Sequence, residues 1–224
     1  VISEYSEIIN KLYPAGFDSG VCVTLPGGTP SNFKNHINEF INGLGFRSLD
    51  QLHFVDWNFK AYKSLMNAAT RLCGKVSNQA ARPHIKRAMF NDVLEDLFAK
   101  KVRVRVADYD GIKNFDEDQE RTIKICSENG VDIINIVVAA RLNIENNDYL
   151  QYWWEQYNNK QKQWDKRNSK HSVPAADIQR FAVNNLAKKY GYDVVYSRCY
   201  RGGSSTKYGM PMLMMTLVKE KEND

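Results

Sequence analysis

The apolar positions of the 224-residue chain change period several times, and each change marks an element. Residues 1–14 (VISEYSEIINKLYP) space their apolar side chains as an amphipathic helix does. The run at 20–25 (GVCVTL) is short, apolar and closed by Pro26-Gly27-Gly28, which predicts a buried strand. Phe33, Ile37, Phe40 and Ile41 return to helical spacing, with Thr29 or Ser31 as N-cap, Pro30 in the first turn and Gly43 or Gly45 as the stop. Ala61, Leu65, Ala68, Ala69 and Leu72 extend a further helix over 57–73, ended by Gly74. Another is predicted over 83–100, through Ile85, Met89, Val93 and Leu97.

The period then shifts to two. In VRVRVAD, Val102, Val104 and Val106 face one way while Arg103 and Arg105 face the other, as in a half-buried strand. A helix over 116–129, ended by Gly130, and an apolar strand over 131–139 complete a possible central βαβ unit. A strongly aromatic helix is predicted over 147–167, and another from Ser172 and Pro174 to Gly191. The chain closes as a C-terminal β-hairpin of strands at 193–200 and 210–218 joined by RGGSSTKYG. These elements predict an α+β fold, with helices packed on a mixed β-sheet. One domain over 1–224 is the simplest organisation, and 75–82 and 168–173 are the places where it would subdivide.

Composition adds exclusions. Apolar residues at 43% and charged residues at 25% describe a globular chain and rule out collagen-like, low-complexity and wholly disordered classes. Cys22, Cys73, Cys126 and Cys199 lie about fifty residues apart without a CxxC pair, and His36, His53, His84 and His171 are equally scattered. Neither a disulfide framework nor a zinc site is expected. No apolar run is long enough for a membrane span. An intracellular, cytoplasmic protein without a membrane partner is expected. The 21 asparagines and 19 lysines hint at an AT-rich coding sequence, as in some phages and bacteria.

Enzyme signatures are sparse. PGGTPSN could present Gly27, Gly28, Thr29 and Ser31 to an anion, but it contains neither GxxxxGK[ST] nor GxGxxG and reads more simply as a capped turn. GxSxG and HExxH are absent. Asp108 and Asp110, two apart at a strand end, project to one side and form a candidate Mg²⁺ site for phosphoryl transfer. A calcium loop fails there, because glycine comes at the fourth position instead of the sixth. No other cofactor is expected.

Charge is more informative than its sum of +5. Basic residues gather as Arg82, Lys86, Arg87, Arg103 and Arg105; as Lys160, Lys166 and Arg167 around Trp164; and as Arg198, Arg201 and Lys207 around the hairpin tip. The stretch from 108 to 132 is acidic. This segregation favours a nucleic-acid-binding protein, DNA or RNA, working through phosphate-backbone contacts. Two alternatives stand beside it. Trp153, Trp154 and Tyr157 on the aromatic helix could form the interface of a homo-oligomer or assembly subunit. The aspartate pair could instead serve a Mg²⁺-dependent phosphoryl-transfer enzyme, although no diagnostic catalytic motif supports an enzyme.

Overall fold

The computed structural model describes residues 2–17, 19–26, 30–73, 82–111, 113–140, 148–162, 175–202 and 210–220. Among them are α1 (Ile2–Leu12), β1 (Val21–Thr24), α2 (Pro30–Asn38), β2 (Leu52–Val55), α3 (Phe59–Cys73), β3 (His84–Lys86) and α4 (Phe90–Ala99). The second half supplies β4 (Val104–Asp110), α5 (Glu117–Glu128), β5 (Ile133–Ala139), α6 (Asp148–Lys162), α7 (Ala175–Lys189), β6 (Tyr192–Gly202) and β7 (Met210–Lys219). The strands follow the order β3-β2-β1-β4-β5-β7-β6 in one mixed sheet, so the expectation of helices on a mixed sheet holds.

Two compact units divide the chain, Val1–Asp110 with Ile125–Asn135, and Gly111–Lys124 with Ile136–Asp224. In the first, β1 pairs in parallel with both β2 and β4, and β2 pairs in parallel with β3. Strands covered on both faces become continuous apolar runs, which is why Cys22, Val23, Leu52, Phe54 and Val55 have no exposed surface. Gly20 makes the turn into β1 with φ +85°, and a Cβ there would lie 2.7 Å from the Arg103 carbonyl oxygen. Gly20→Ala is therefore expected to lower the unfolding free energy by about 2–4 kcal/mol, measured by urea denaturation.

The second unit has a different construction. β6 and β7 pair antiparallel from Tyr192 opposite Lys219 to Gly202 opposite Met210, as the hairpin pattern implied. The methionines of β7 fill core, with Met212, Met214 and Met215 all buried. Gln179 of α7 is fully buried and ties two segments together. Its Oε1 accepts from Phe115 N (2.9 Å) and its Nε2 donates to the Ala139 carbonyl (3.1 Å), so the buried amide is satisfied on both sides.

The sequence pattern needs three corrections. The helix expected over 83–100 is a strand, His84–Lys86, followed by a helix beginning at Phe90, because Met89 is extended with ψ 148°. Ile85 continues the apolar spacing of α4 by coincidence, while its backbone pairs with Phe54. β2 has only four residues and gives too short a run to separate from a loop by period alone. The strand expected at 102–107 is displaced to Val104–Asp110, so Asp108 and Asp110 lie within it.

Candidate functional site

Ligands of parallel α/β sheets bind in the crevice outside the carboxyl ends of the strands, where the strand order reverses. From β1 the chain proceeds to β2 and β3 on one side and returns to β4 on the other, which places the reversal at the β1/β4 pair of the first unit. Thr24 ends β1 directly opposite Asp108 of β4.

Asp108, 3% exposed, is the centre of a buried polar cluster. Its Oδ2 accepts from Thr24 Oγ1 (2.7 Å) and its Oδ1 from Asn135 Nδ2 (2.6 Å). His36 of α2 brings Nε2 to 3.4 Å from Oδ2, while its Nδ1 lies 2.8 Å from the Asn32 carbonyl oxygen, which it can only meet as a donor. Burial pushes the Asp108 carboxyl up, but the hydrogen bond and charge of His36, with the bonds from Asn135 and Thr24, outweigh it and hold the group below its usual range. Burial likewise pulls His36 down, and the Asp108 bond and charge together with the Asn32 carbonyl lift it above its ordinary value. The two groups therefore form an ion pair.

Two further carboxyls feel that anion. Asp110 shares a face of β4 with Asp108 and is pushed up to about 7 by burial and by the Asp108 charge. Glu39 opens the single π-turn (Glu39–Gly43) that follows α2, and the same two causes raise it to about 7. Like charges this close do not ionise together, so near neutral pH the cluster holds protons that it can exchange. π-turns concentrate at functional sites, and this one carries a titrating carboxyl.

The end of β2 adds a different chemistry. Asp56 is 8% exposed, and its Oδ1 accepts from Asn58 N (2.8 Å) in the turn that starts α3. Burial raises its carboxyl above the ordinary value, and the Asn58 bond partly opposes this. Beside it Trp57 is 61% exposed and Phe59 54% exposed, which is unusual for rings of that size. The Arg87 guanidinium stands 5.2 Å from the Phe59 centroid, and its Nε donates to the Trp57 carbonyl at 3.4 Å.

The basic residues singled out in the sequence have several fates. Arg105 is committed to Asp132 at 2.5 Å and stacks over Phe17 at 5.0 Å, and Lys86 bonds Asp96 at 2.9 Å. Arg82, Arg87, Arg103, Arg198 and Arg201 are exposed. Lys166, Arg167 and Lys207, and the side chain of Lys160, lie outside the described residues, as do Gly27, Gly28, Thr29 and the side chain of Ser31. Among the described residues no three metal-ligating side chains gather, and Asp108 spends its oxygens on Thr24, Asn135 and His36. Trp153 and Tyr157 pack toward Phe181 of α7, whereas Trp154 is 42% exposed. Among the described residues no helix is long and apolar enough to cross a membrane.

No protein-family model matches the sequence, and no curated protein matches it either. Solved structures do share its fold. A Pyrococcus horikoshii protein assigned as an RNA methyltransferase superposes with a TM-score of 0.54 at 9% identity, over 98% of this chain and 83% of that one. A small RNA methyltransferase gives 0.53 at 12% identity over 99% of this chain, which spans only 25% of that protein's length. A Streptococcus pneumoniae protein assigned as a tRNA methyltransferase, solved in complex with S-adenosyl-L-methionine, gives 0.50 at 9% identity over 100% of this chain and 76% of that one. At such identities the likeness establishes a shared Rossmann-like fold and nothing finer.

Sequence reasoning found Asp108 and Asp110 but missed Thr24, His36, Asp56 and Asn135. A signal for Asp56 exists. It is the first acid after the apolar run LHFV, and it stands out once that run is recognised as a strand.

Proposed function

We propose that the protein transfers a methyl group from S-adenosylmethionine to RNA, with the cofactor held in the crevice at the carboxyl ends of β1, β2 and β4. The observation that carries this reading is the reversal of strand order at β1/β4 with Asp56 and Trp57 beside it, at the end of β2. The residues present fit the group. An acid at the end of the second strand accepts hydrogen bonds from a ribose diol, and Asp56 has one oxygen committed to Asn58 and a second that meets no donor among the described residues. Trp57 offers an exposed ring on which an adenine can stack. When bound, the cofactor supplies an electrophilic methyl carried on a sulfonium.

The chain's own residues do the proton work. Methyl transfer to an N–H, O–H or C–H position of RNA releases a proton, and the Asp110 carboxylate, ionised above about 7, takes it as S-adenosylhomocysteine departs. Burial and the charge of Asp108, which His36 holds in its ionised form, raise Asp110, and the His36 charge partly opposes them. Exposed Arg87, just after β3 at the same edge of the sheet as Trp57, contacts the phosphate backbone, in line with RNA methyltransferases among the fold's neighbours. Incubation with methyl-labelled S-adenosylmethionine and total cellular RNA tests this. Label should enter RNA, at a rate that rises as pH passes about 7 and falls at least ~100-fold in Asp110→Asn. Label that never leaves the cofactor, or a rate indifferent to Asp110, would refute the proposed chemistry.

A further inference from the structure

The second unit contains an open pocket of about 450 Å³ lined by residues of α5, α6 and α7, and none of its lining residues belongs to the strand-end crevice. Its volume is in the range that holds a small planar ligand. Trp153 is the central ring of the wall. Tyr152 stands edge-on to it at 5.2 Å and 77°, Phe181 at 6.1 Å and 75°, and Tyr149 at 6.4 Å and 64°. Tyr152 is 54% exposed despite lining the cavity, so part of this aromatic surface is left for something else to cover. A closed apolar core would have buried it.

The polar groups around the rings are of a particular kind. Gln156 and Asn185 bring carboxamides to the wall, and Asn185 uses only its Nδ2, donating to the Phe181 carbonyl at 2.6 Å, so its Oδ1 can still accept. Glu120 accepts from Tyr149 Oη at 2.7 Å and lies 3.8 Å from Lys189 Nζ. The Lys189 ammonium also stands 4.9 Å from the Tyr190 ring centroid, and with 61% of its side chain exposed it lies at the mouth. Stacking rings, carboxamides able to meet a base edge and one cation able to meet a phosphate are the requirements of an unpaired nucleotide.

We propose that this cavity seats one unpaired nucleobase of a single-stranded RNA, with Tyr152 and Trp153 as the stacking surface, Asn185 and Gln156 at the base edge and Lys189 on the adjoining phosphate. The identity of the nucleic acid rests on the RNA reading above; the base pocket itself does not depend on methyl transfer. A lone aromatic cluster would serve any planar ligand, but Lys189 at the mouth favours one that carries a phosphate beside its ring.

Fluorescence anisotropy of the full chain with a labelled single-stranded RNA provides the test, run beside S-adenosylmethionine calorimetry on the same preparations. Tyr152→Ala and Lys189→Ala, both at exposed positions, should each weaken single-strand binding about tenfold, with cofactor affinity unchanged. A fully paired duplex of the same sequence, whose bases are unavailable, should bind more weakly than the single strand and be indifferent to Tyr152. Variants that bind single strands as the parent does would overturn the proposal while leaving the methyl-transfer reading untouched. Equal loss of duplex and single-strand binding in Tyr152→Ala would also overturn it. Loss of single-strand binding in both variants of a protein that takes up no S-adenosylmethionine would sustain the pocket and remove the methyl-transfer reading.

Discussion

Asp56→Ala will weaken S-adenosylmethionine binding at least ~100-fold and leave the fold in place. If the carboxyl holds the ribose diol, its removal costs two hydrogen bonds to a charged group, each worth about 1.5–3 kcal/mol. Two such bonds amount to at least ~3 kcal/mol, or more than two decades in Kd. Its structural role is small by comparison. The carboxyl of Asp56 meets only the backbone N–H of Asn58 among the described residues, in the turn before α3, and the bond from its own N–H to the Lys86 carbonyl survives the substitution. Asp56→Asn retains an oxygen for that turn but replaces one diol acceptor by a donor, so it should bind about tenfold more weakly than the parent with unchanged stability. Titration calorimetry distinguishes the three proteins. Equal affinity in the parent and in Asp56→Ala would remove Asp56 from the site.

His36→Ala should be the most destabilising single change in the buried cluster, lowering the unfolding free energy at pH 7 by about 3 kcal/mol. The substitution leaves Asp108, 3% exposed, still holding Thr24 and Asn135 but without its counter-charge. Asp108→Asn in the same chain should recover part of the loss, because a neutral amide needs no cation beside it. Urea denaturation of the four proteins gives the coupling directly. If the losses simply add, the two groups do not act as a pair.

The pH dependence of this cluster has a definite sign. His36 is raised, so its contribution is complete below its unfolded pKa and is lost as pH climbs through the folded value. Asp108 is depressed, so its contribution exists above the ordinary carboxylate range and is lost only in acid. Asp110 and Glu39, both raised to about 7, favour the folded state while protonated and lose that contribution as pH rises through about 7. Three of the four groups thus agree in sign, their contributions falling as pH rises, those of Asp110 and Glu39 being spent by about pH 7. In His36→Ala the histidine contribution disappears, and the fall should be correspondingly shallower.

What could be read from the sequence depended on the length of each signal. The run GVCVTL and the alternation VRVRVAD each carry enough consecutive residues to reveal a strand, and Asp108 and Asp110 were placed on one side of a strand end by that alternation alone. β2 and β3, with four and three residues, fall below what periodicity resolves. Their loss concealed the parallel half of the sheet, and with it the reversal at β1/β4 that identifies the crevice. The partners of Asp108 were illegible for another reason. Thr24 lies 84 residues away and Asn135 lies 27 away, on different strands, and only the closed sheet brings them together. Charge segregation suggested a nucleic-acid partner, but it did not foresee that Arg105 turns inward to Asp132 and Phe17.

The most direct test of the central claim is a crystal structure grown with S-adenosylhomocysteine. Density for the nucleoside should lie at the carboxyl ends of β1, β2 and β4, with its ribose on Asp56 and its adenine against Trp57. Density confined to the aromatic cavity of α5, α6 and α7, or a crevice that excludes the nucleoside at saturating concentration, would contradict the account.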